Sequence, residues 1–126
     1  MDHVQVRFPT NVEDVGRVIY DLTRMSPPTP APLMSELPTL PPILHYSTPA
    51  APMTKYDMTV TIAKHLGLPI DHVVANTQPA TGHAAAQRPE NSQLGTKKLK
   101  EIGVDVGESE AFHAWWKRYA EDIKRA

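Results

Sequence analysis

Cysteine is absent from this sequence of 126 residues. Its absence excludes disulfide bridges, thiol nucleophiles and thiolate metal ligands, and it fits a reducing compartment. Long apolar runs are also missing, since no stretch approaches the roughly 20 apolar residues that a membrane-spanning helix needs. The first residues contain no long apolar run either, so we expect no signal peptide, no membrane partner and a cytoplasmic or nuclear location.

Neither sign of charge dominates, because 13 Lys and Arg residues accompany 14 Asp and Glu residues and the net charge is −1. A chain with this balance has no general attraction for nucleic acid, so we predict no nucleic-acid partner. Six histidines are scattered along the sequence without a His-x-x-x-His pair. Metal sites need converging ligands, and the sequence therefore predicts no metal site.

Proline is abundant, with 13 residues, of which seven lie between positions 27 and 42. Proline fixes φ and lacks a backbone donor, so this stretch is not expected to form a helix or a central strand. We predict one domain over residues 1–126 with an extended Pro-rich surface insertion at 26–42. A solvated loop and a ligand for a proline-recognising domain are both consistent with this composition.

Apolar spacing predicts an amphipathic helix over about residues 11–25, preceded by a Thr10–Glu13 capping box. Its apolar residues are expected on one buried face: Val12, Val15, Val18, Ile19, Leu22 and Met25.

Three further helices are predicted by start and stop signals. The second begins at Thr54, with Asp57 three residues later, and ends at Gly67. The third covers residues 97–102 after Thr96 and ends at Gly103, and the fourth opens at Ser109. That last helix carries an aromatic and apolar stripe of Phe112, Trp115, Trp116, Tyr119 and Ile123.

Short strands are predicted at residues 3–8 and 43–47, and residues 70–75 are consistent with either a strand or a single turn. Strands separated by helices indicate a mixed α/β chain in which parallel pairing is plausible. So few strands cannot make a sheet covered on both faces. We therefore expect the chain to need a partner, either the rest of its own fold or another subunit.

An ordered series of motifs extends through most of the chain: residues 8–15, His45-Tyr46-Ser47, residues 53–58, Ile62-Ala63, Arg88-Pro89 with Asn91-Ser92 and Leu94, and Lys98-Leu99 with Gly103. This series resembles the C-terminal part of an extended short-chain dehydrogenase/reductase of the dTDP-4-dehydrorhamnose reductase-like family, with its RmlD-like substrate-binding region. The run at 53–56 and the Gln87-Arg88-Pro89 context are most similar to the branch of methionine adenosyltransferase regulatory beta subunits.

The resemblance also identifies what the chain lacks. The family's dinucleotide loop spaces its glycines so that a helix N-terminus can approach a pyrophosphate. The six glycines here never follow the Gly-x-x-Gly-x-x-Gly spacing, and no tyrosine has a lysine four residues later, as the family's catalytic pair does. The resemblance therefore implies an incomplete Rossmann-like C-terminal lobe. We expect no cofactor in this chain, with NADP belonging only to the full-length family.

Two functions follow from the resemblance. The first is a non-catalytic regulatory module that contacts the catalytic subunit of methionine adenosyltransferase and so acts on S-adenosylmethionine synthesis. The second is the substrate-binding lobe of an NADP-dependent dTDP-sugar reductase, whose partner would be a missing N-terminal Rossmann half. A degenerate remnant without a ligand is a third interpretation. We expect no catalytic residues and no enzyme activity from the chain alone.

Candidate ligand-binding residues, by resemblance, are Arg88, Asn91 and Ser92. Arginine suits a phosphate through its planar fork of donors, and the two polar neighbours could bind a ligand. The structural alternative is that Arg88 pairs with a carboxylate and the other two shape a turn.

Candidate partner-binding residues are Lys55, Tyr56, Trp115 and Trp116. The first two could equally serve the start and packing of the second helix. The tryptophans could fill a core, although paired tryptophans are also strong interface anchors.

Overall fold

Four helices make up the regular secondary structure in the computed structural model, which describes residues 1–25, 40–78 and 89–125. They are α1 (Val12–Met25), α2 (Lys55–Leu66), α3 (Lys97–Glu101) and α4 (Phe112–Arg125). The prediction of about four helices is confirmed. Most of the predicted Pro-rich insertion, residues 26–39, lies outside the described residues, and residues 40–42 contain neither helix nor strand.

Helix α1 begins after Asn11 rather than after Thr10. The side-chain oxygen of Asn11 accepts a hydrogen bond of 3.0 Å from the backbone N–H of Glu13. The hydroxyl of Thr10 instead accepts one of 3.2 Å from the backbone N–H of Thr48. The predicted Thr10 cap is therefore wrong, because that hydroxyl is used elsewhere and asparagine caps a helix equally well.

The apolar residues of α1 lie on two faces, not on the single buried face that was predicted. Val18 is buried, whereas Val12 is 80% exposed and Ile19 is 56% exposed. At 100° per residue, positions 12 and 19 lie 100° or more around the helix from position 18, whereas position 15 lies between the two groups. The prediction failed because it merged two stripes of similar period into one.

Helix α2 matches its sequence signals at both ends. The Thr54 side chain accepts from the backbone of Asp57, while the Asp57 carboxylate accepts from the backbone of Thr54, which completes a capping box. Gly67 ends the helix with a φ of 69°, in the left-handed region that favours glycine. Its backbone N–H and that of Leu68 both donate to the carbonyl of Ala63.

Helix α3 ends at Glu101, one residue earlier than predicted, and the predicted stop residue Gly103 follows with a φ of 84°. Helix α4 begins at Phe112, later than predicted. The carbonyl of Ala111 accepts the first α-helical bond, from Trp115, at 3.0 Å. Ser109 lies three residues before this helix, and its backbone N–H donates to the carboxylate of Asp14.

The predicted strands are absent from the described residues, where isolated β-bridges stand in their place. Within residues 3–8, Val6 pairs with Asn91 and Arg7 with Met53, each as a single bridge. Residues 43–47 form no strand. Residues 70–75 contain the predicted alternative, a single turn, in which the backbone N–H of Val73 donates to the carbonyl of Ile70 at 2.8 Å. A ladder needs several consecutive paired residues, and the partners here pair one position at a time. The α/β assignment therefore remains a prediction.

The chain divides into two compact units. The first unit comprises Met1–Pro9, Ala50–Gln93 and Glu110–Ala126, and it contains the mutually packed helices α2 and α4. The second unit comprises Thr10–Pro49 and Leu94–Ser109, with α1 and α3. The second unit holds an apolar core of Val18, Leu99, Val104 and Val106, against which Leu22, Met25, Leu44, Tyr46 and Ile102 pack.

Candidate functional site

The segment that carries the candidate ligand-binding residues is joined to the N-terminal segment of the first unit. The Asn91 side-chain oxygen accepts from the backbone N–H of Gln93 at 2.8 Å, which forms an Asx turn. The Ser92 hydroxyl donates to the carbonyl of Val6 at 3.3 Å. Arg88 lies outside the described residues. The observed contacts of Asn91 and Ser92 thus include the turn-shaping role that the sequence left open.

Arg7 is a component of this site that the sequence analysis missed. Its guanidinium donates to the side-chain oxygen of Gln5 at 2.7 Å and to the carbonyls of Val6 at 2.9 Å and Pro89 at 3.3 Å. Arg7 therefore places a positive charge beside Pro89, two residues before Asn91 in the sequence. The only sequence signal was its position in a predicted strand, which does not reveal a partner more than 80 residues away.

Lys55 and Tyr56 begin α2 beside the N-terminal segment. The backbone N–H of Tyr56 donates to the carbonyl of Asp2 at 3.0 Å, and its ring meets the ring of His3 edge to face at 4.9 Å. Lys55 is exposed. Tyr56 is thus half-buried and engaged in packing, whereas Lys55 offers its ammonium group to solvent or to a partner.

The N-terminus of α2 holds a polar cluster of His3, Thr54 and Asp57. The Nδ1 atom of His3 lies 2.8 Å from the hydroxyl of Thr54 and 3.6 Å from the carboxylate of Asp57. The Thr54 hydroxyl donates to the same carboxylate at 2.7 Å. Hydrogen bonds from the backbone and side chain of Thr54 hold the pKa of Asp57 below its usual range. The cluster therefore works as a helix cap that is tied to the N-terminal segment.

Trp115 and Trp116 stand in an aromatic ladder along α4. Trp115 stacks on Tyr119 with ring centroids 5.0 Å apart, and it meets Trp116 edge to face at 5.1 Å. Phe112 adds an edge-to-face contact with Trp116 at 6.2 Å. Both tryptophans are half-buried and Tyr119 is 40% exposed. The structure thus brings these predicted residues together on a face that is partly open to solvent.

A salt bridge fixes the start of this aromatic face. Arg118 donates to both carboxylate oxygens of Glu110, at 2.8 and 3.3 Å, and its guanidinium lies 6.0 Å from the centre of the Trp115 ring. The Arg118 hydrogen bonds lower the pKa of Glu110. A guanidinium held this way cannot swing freely, which keeps the rim of the face polar and ordered.

The second unit contains a polar network that the sequence analysis also missed. The carboxylate of Asp14 is almost fully buried, and it accepts from the backbone N–H of Ser109 while lying 3.6 Å from the guanidinium of Arg17. Arg17 donates in turn to the carbonyls of Asp105 at 2.8 Å and Gly107 at 2.9 Å. A carboxylate and an arginine three residues apart on a helix were the available signal.

Tyr46 joins this network from the apolar core of the second unit, against which its ring packs. Its hydroxyl donates to the carbonyl of Gly107 at 3.2 Å, and burial raises its pKa. The loop at residues 105–109 is therefore held by side chains from α1 and from residue 46. All these groups are partnered, so the network is a structural clamp rather than an open binding site.

The described part of the chain contains no group of three or more His, Asp or Glu side chains placed to hold a metal ion. A dinucleotide would need an open helix N-terminus beside a glycine turn. At α2 the Asp57 carboxylate already occupies that position. Gly95 does precede a helix, but α3 has only five residues and the glycines lack the Gly-x-x-Gly-x-x-Gly spacing. The described residues therefore do not fit NADP.

None of the helices within residues 1–25, 40–78 and 89–125 has the length and hydropathy needed to cross a bilayer.

Comparison with known proteins gives one family and a consistent set of relatives. A family model described as the RmlD substrate binding domain matches residues 1–123. The chain is 39% identical over 106 residues to methionine adenosyltransferase 2 subunit beta of Danio rerio, an overlap of 84% of this chain and 30% of that protein. The proteins of the same name from Xenopus tropicalis and Rattus norvegicus are each 38% identical, over 82% of this chain and 28% of their own length. The chain thus spans less than a third of these relatives.

Proposed function

Because the chain belongs to the RmlD substrate binding domain family, we propose that it is a non-catalytic binding module that acts with methionine adenosyltransferase. It would contact the catalytic subunit of that enzyme and modulate S-adenosylmethionine synthesis. The observation that carries this proposal is the identity of 38–39% to proteins named as the enzyme's subunit beta. The coupling would be allosteric or stabilising, with the chemistry left to the catalytic subunit.

The aromatic face of α4 supports a role in association. Tryptophan and tyrosine dominate the binding energy of protein interfaces when they fill a pocket on the partner. Here Trp115 and Tyr119 are stacked in advance, so binding loses little side-chain entropy. The Arg118–Glu110 pair supplies the polar rim that such an interface usually has. We propose Trp115 and Trp116 as its anchors, with Lys55 and Tyr56 as further candidate contacts.

Co-purification tests this function directly. The tagged 126-residue chain is mixed with the catalytic subunit of methionine adenosyltransferase, and the retained complex and its rate of S-adenosylmethionine synthesis are measured. We expect a stable complex and a changed rate or a longer lifetime of the catalytic subunit. Failure to retain that subunit at micromolar concentrations would remove the proposal.

Two variants locate the interface in that experiment. Trp115→Ala should weaken the complex by about tenfold or more, because a buried aromatic anchor contributes roughly 2 kcal/mol or more. Lys117→Ala, at an exposed position of the same helix, should change it by less than about twofold. Far-ultraviolet circular dichroism of both variants must match the parent chain, so that a loss of binding is not a loss of fold.

A second candidate function is supported by the family description as a substrate-binding domain. The chain would then be the substrate lobe of a longer NADP-dependent reductase that acts on a dTDP-sugar, with Arg88, Asn91 and Ser92 at the ligand. Arg7 beside Pro89 adds a positive charge to this segment, which suits an anionic ligand. Calorimetric binding of a dTDP-sugar that is lost in Arg88→Ala would favour this function, and the absence of heat at millimolar ligand would reject it.

A further inference from the structure

Helix α1 presents a second apolar stripe that the core of its own unit does not use. Val12, Val15, Ile19 and Tyr20 are all exposed, with Ile19 and Tyr20 more than half accessible. At 100° per residue, Val12, Ile19 and Tyr20 lie 100–160° around the helix from the buried Val18, and Val15 lies at the edge of this stripe, 60° from Val18. A soluble helix usually carries polar residues on that side, so an apolar stripe there indicates a surface that becomes covered.

The charges on this face are distributed unevenly. Among the exposed residues of α1, Glu13 and Arg24 are the charged ones, and they stand 11 positions apart near opposite ends. At 1.5 Å per residue this separation is roughly 16 Å along the helix axis. At 100° per residue the two side chains also fall on the same flank of the apolar stripe. In a symmetric pair of antiparallel helices, Glu13 of one copy is therefore placed to face Arg24 of the other copy.

We propose that the outward face of α1 pairs two copies of this chain, antiparallel and about a two-fold axis. In an isologous pair each copy contributes the same patch, so Glu13 of one copy meets Arg24 of the other twice over. A parallel pair would instead bring like charges together, Glu13 beside Glu13 and Arg24 beside Arg24. Charge complementarity therefore selects both the occupant and the direction.

The apolar residues fit the same register. When Glu13 faces the partner copy's Arg24, the two-fold axis passes between positions 18 and 19. Ile19 of each copy then lies at the centre of the contact, and Gly16 lies near the other copy's Tyr20. Within the described part of the chain, no heavy atom lies within 4 Å of where a Cβ of residue 16 would stand, so packing among those residues does not require glycine there. A close approach by a second helix would.

Tyr20 is already prepared for this contact. The guanidinium of Arg24 lies 5.8 Å from the centre of the Tyr20 ring, which holds both side chains along the same flank. The Thr23 hydroxyl donates to the carbonyl of Tyr20 at 2.7 Å, so its polar atom is turned back onto the helix. The face is thus apolar in its centre and charged only at its two ends.

Sedimentation equilibrium of the 126-residue chain tests the pairing. One helix per copy makes a small interface, below about 1,200 Å² in total, so we expect a reversible dimer whose population rises through the micromolar range. Ile19→Asp should leave a monomer at every concentration, because it places two like charges at the axis. A parent chain that stays monomeric to millimolar concentration would overturn the proposal and leave this face to another part of a longer protein.

Charge exchange separates this pairing from non-specific apolar contact. Glu13→Arg and Arg24→Glu should each weaken the dimer by about tenfold, since two exposed ion pairs become two repulsions. The double variant should restore it to within about twofold of the parent. Glu121→Arg on α4 is the matched control and should have no effect, because Glu121 is exposed in the first unit. Single variants that dimerise like the parent, or a double variant that fails to recover, would overturn the proposed register.

Discussion

The two units of this chain are held together by different means. The second unit has an apolar core in which Leu99 is 1% exposed, and the Asp14–Arg17 clamp closes over its loop. The first unit buries only alanines among its described apolar side chains, Ala63 and Ala120, and is held by caps, single bridges and side-chain hydrogen bonds. The difference shows where each unit can change its surface without losing its fold.

That contrast also separates stability from binding. The second unit packs large apolar side chains into its core, although the outward stripe of α1, Ile43 and Leu94 stay exposed. In the first unit the large aromatic residues stay half-open on α4, where they contribute less to folding than a buried side chain would. Substitutions in the core should therefore act on stability, and substitutions on α4 should act mainly on association.

Leu99→Ala should give the largest effect. Removing a fully buried leucine costs about 2–5 kcal/mol, through lost burial and the cavity left behind. Leu94→Ala is the matched control in the same unit, because Leu94 is 47% exposed and should cost less than about 1 kcal/mol. Urea unfolding measures both. Equal losses of unfolding free energy for the two variants would show that the buried core does not dominate the stability of the second unit.

Asp14→Asn should follow in size. The amide keeps the shape but loses the charge that faces Arg17 and part of the acceptor capacity that serves Ser109. We expect a loss of about 1–3 kcal/mol, because a buried polar contact is left incomplete. Asp21→Asn, whose carboxylate is more exposed and 3.9 Å from Arg17, should cost less than about 0.5 kcal/mol. If both variants unfold at the same urea concentration, the clamp does not stabilise the second unit.

Asp57→Asn tests how much the capping box of α2 stabilises the first unit. Asp57 has a lowered folded-state pKa because the ionised carboxylate accepts hydrogen bonds from Thr54. Its contribution is therefore fully present above the unfolded-state pKa of 3.8 and is lost as pH falls through the lower folded-state value. At neutral pH we expect the variant to be less stable by about 1 kcal/mol, and the difference from the parent should shrink below about pH 4. A difference that is constant with pH would contradict the cap.

Lys97→Ala should have the smallest effect. Lys97 is 88% exposed, and it pairs with Glu101 over 3.6 Å within a short helix. Exposed pairs of this kind contribute about 0.5 kcal/mol or less. A thermal transition shifted by more than a few degrees would show that α3 matters to the second unit beyond the burial of Leu99.

Local signals predicted the helices well, because caps and stops act within a few residues. Thr54 with Asp57, and Gly67 after α2, are complete in the sequence. The strands at 3–8 and 43–47 were not formed, since a strand needs partners that no local pattern supplies. The faces of α1 were merged for a similar reason: Val12 and Val18 have the same chemistry, and only packing distinguishes them.

The candidate site was predicted in part. The paired tryptophans on one helical stripe of the sequence predicted the aromatic face of α4. Arg7, Asp14 and Arg17 were missed because their partners are backbone carbonyls or amides more than 80 residues away. Sequence alone assigns polar residues to turns and solvated surfaces, and only the folded chain shows which of these residues contact each other. Arg88 stays a prediction from resemblance.

One binding titration tests the central claim, that the chain works by association through the first unit. The dissociation constant for the catalytic subunit of methionine adenosyltransferase is measured by calorimetry for the parent chain, Trp115→Ala and Ile19→Asp. We predict binding by the parent, a loss of about tenfold or more for Trp115→Ala, and a change below about twofold for Ile19→Asp. No binding by the parent, or equal binding by the parent and Trp115→Ala, would contradict the account.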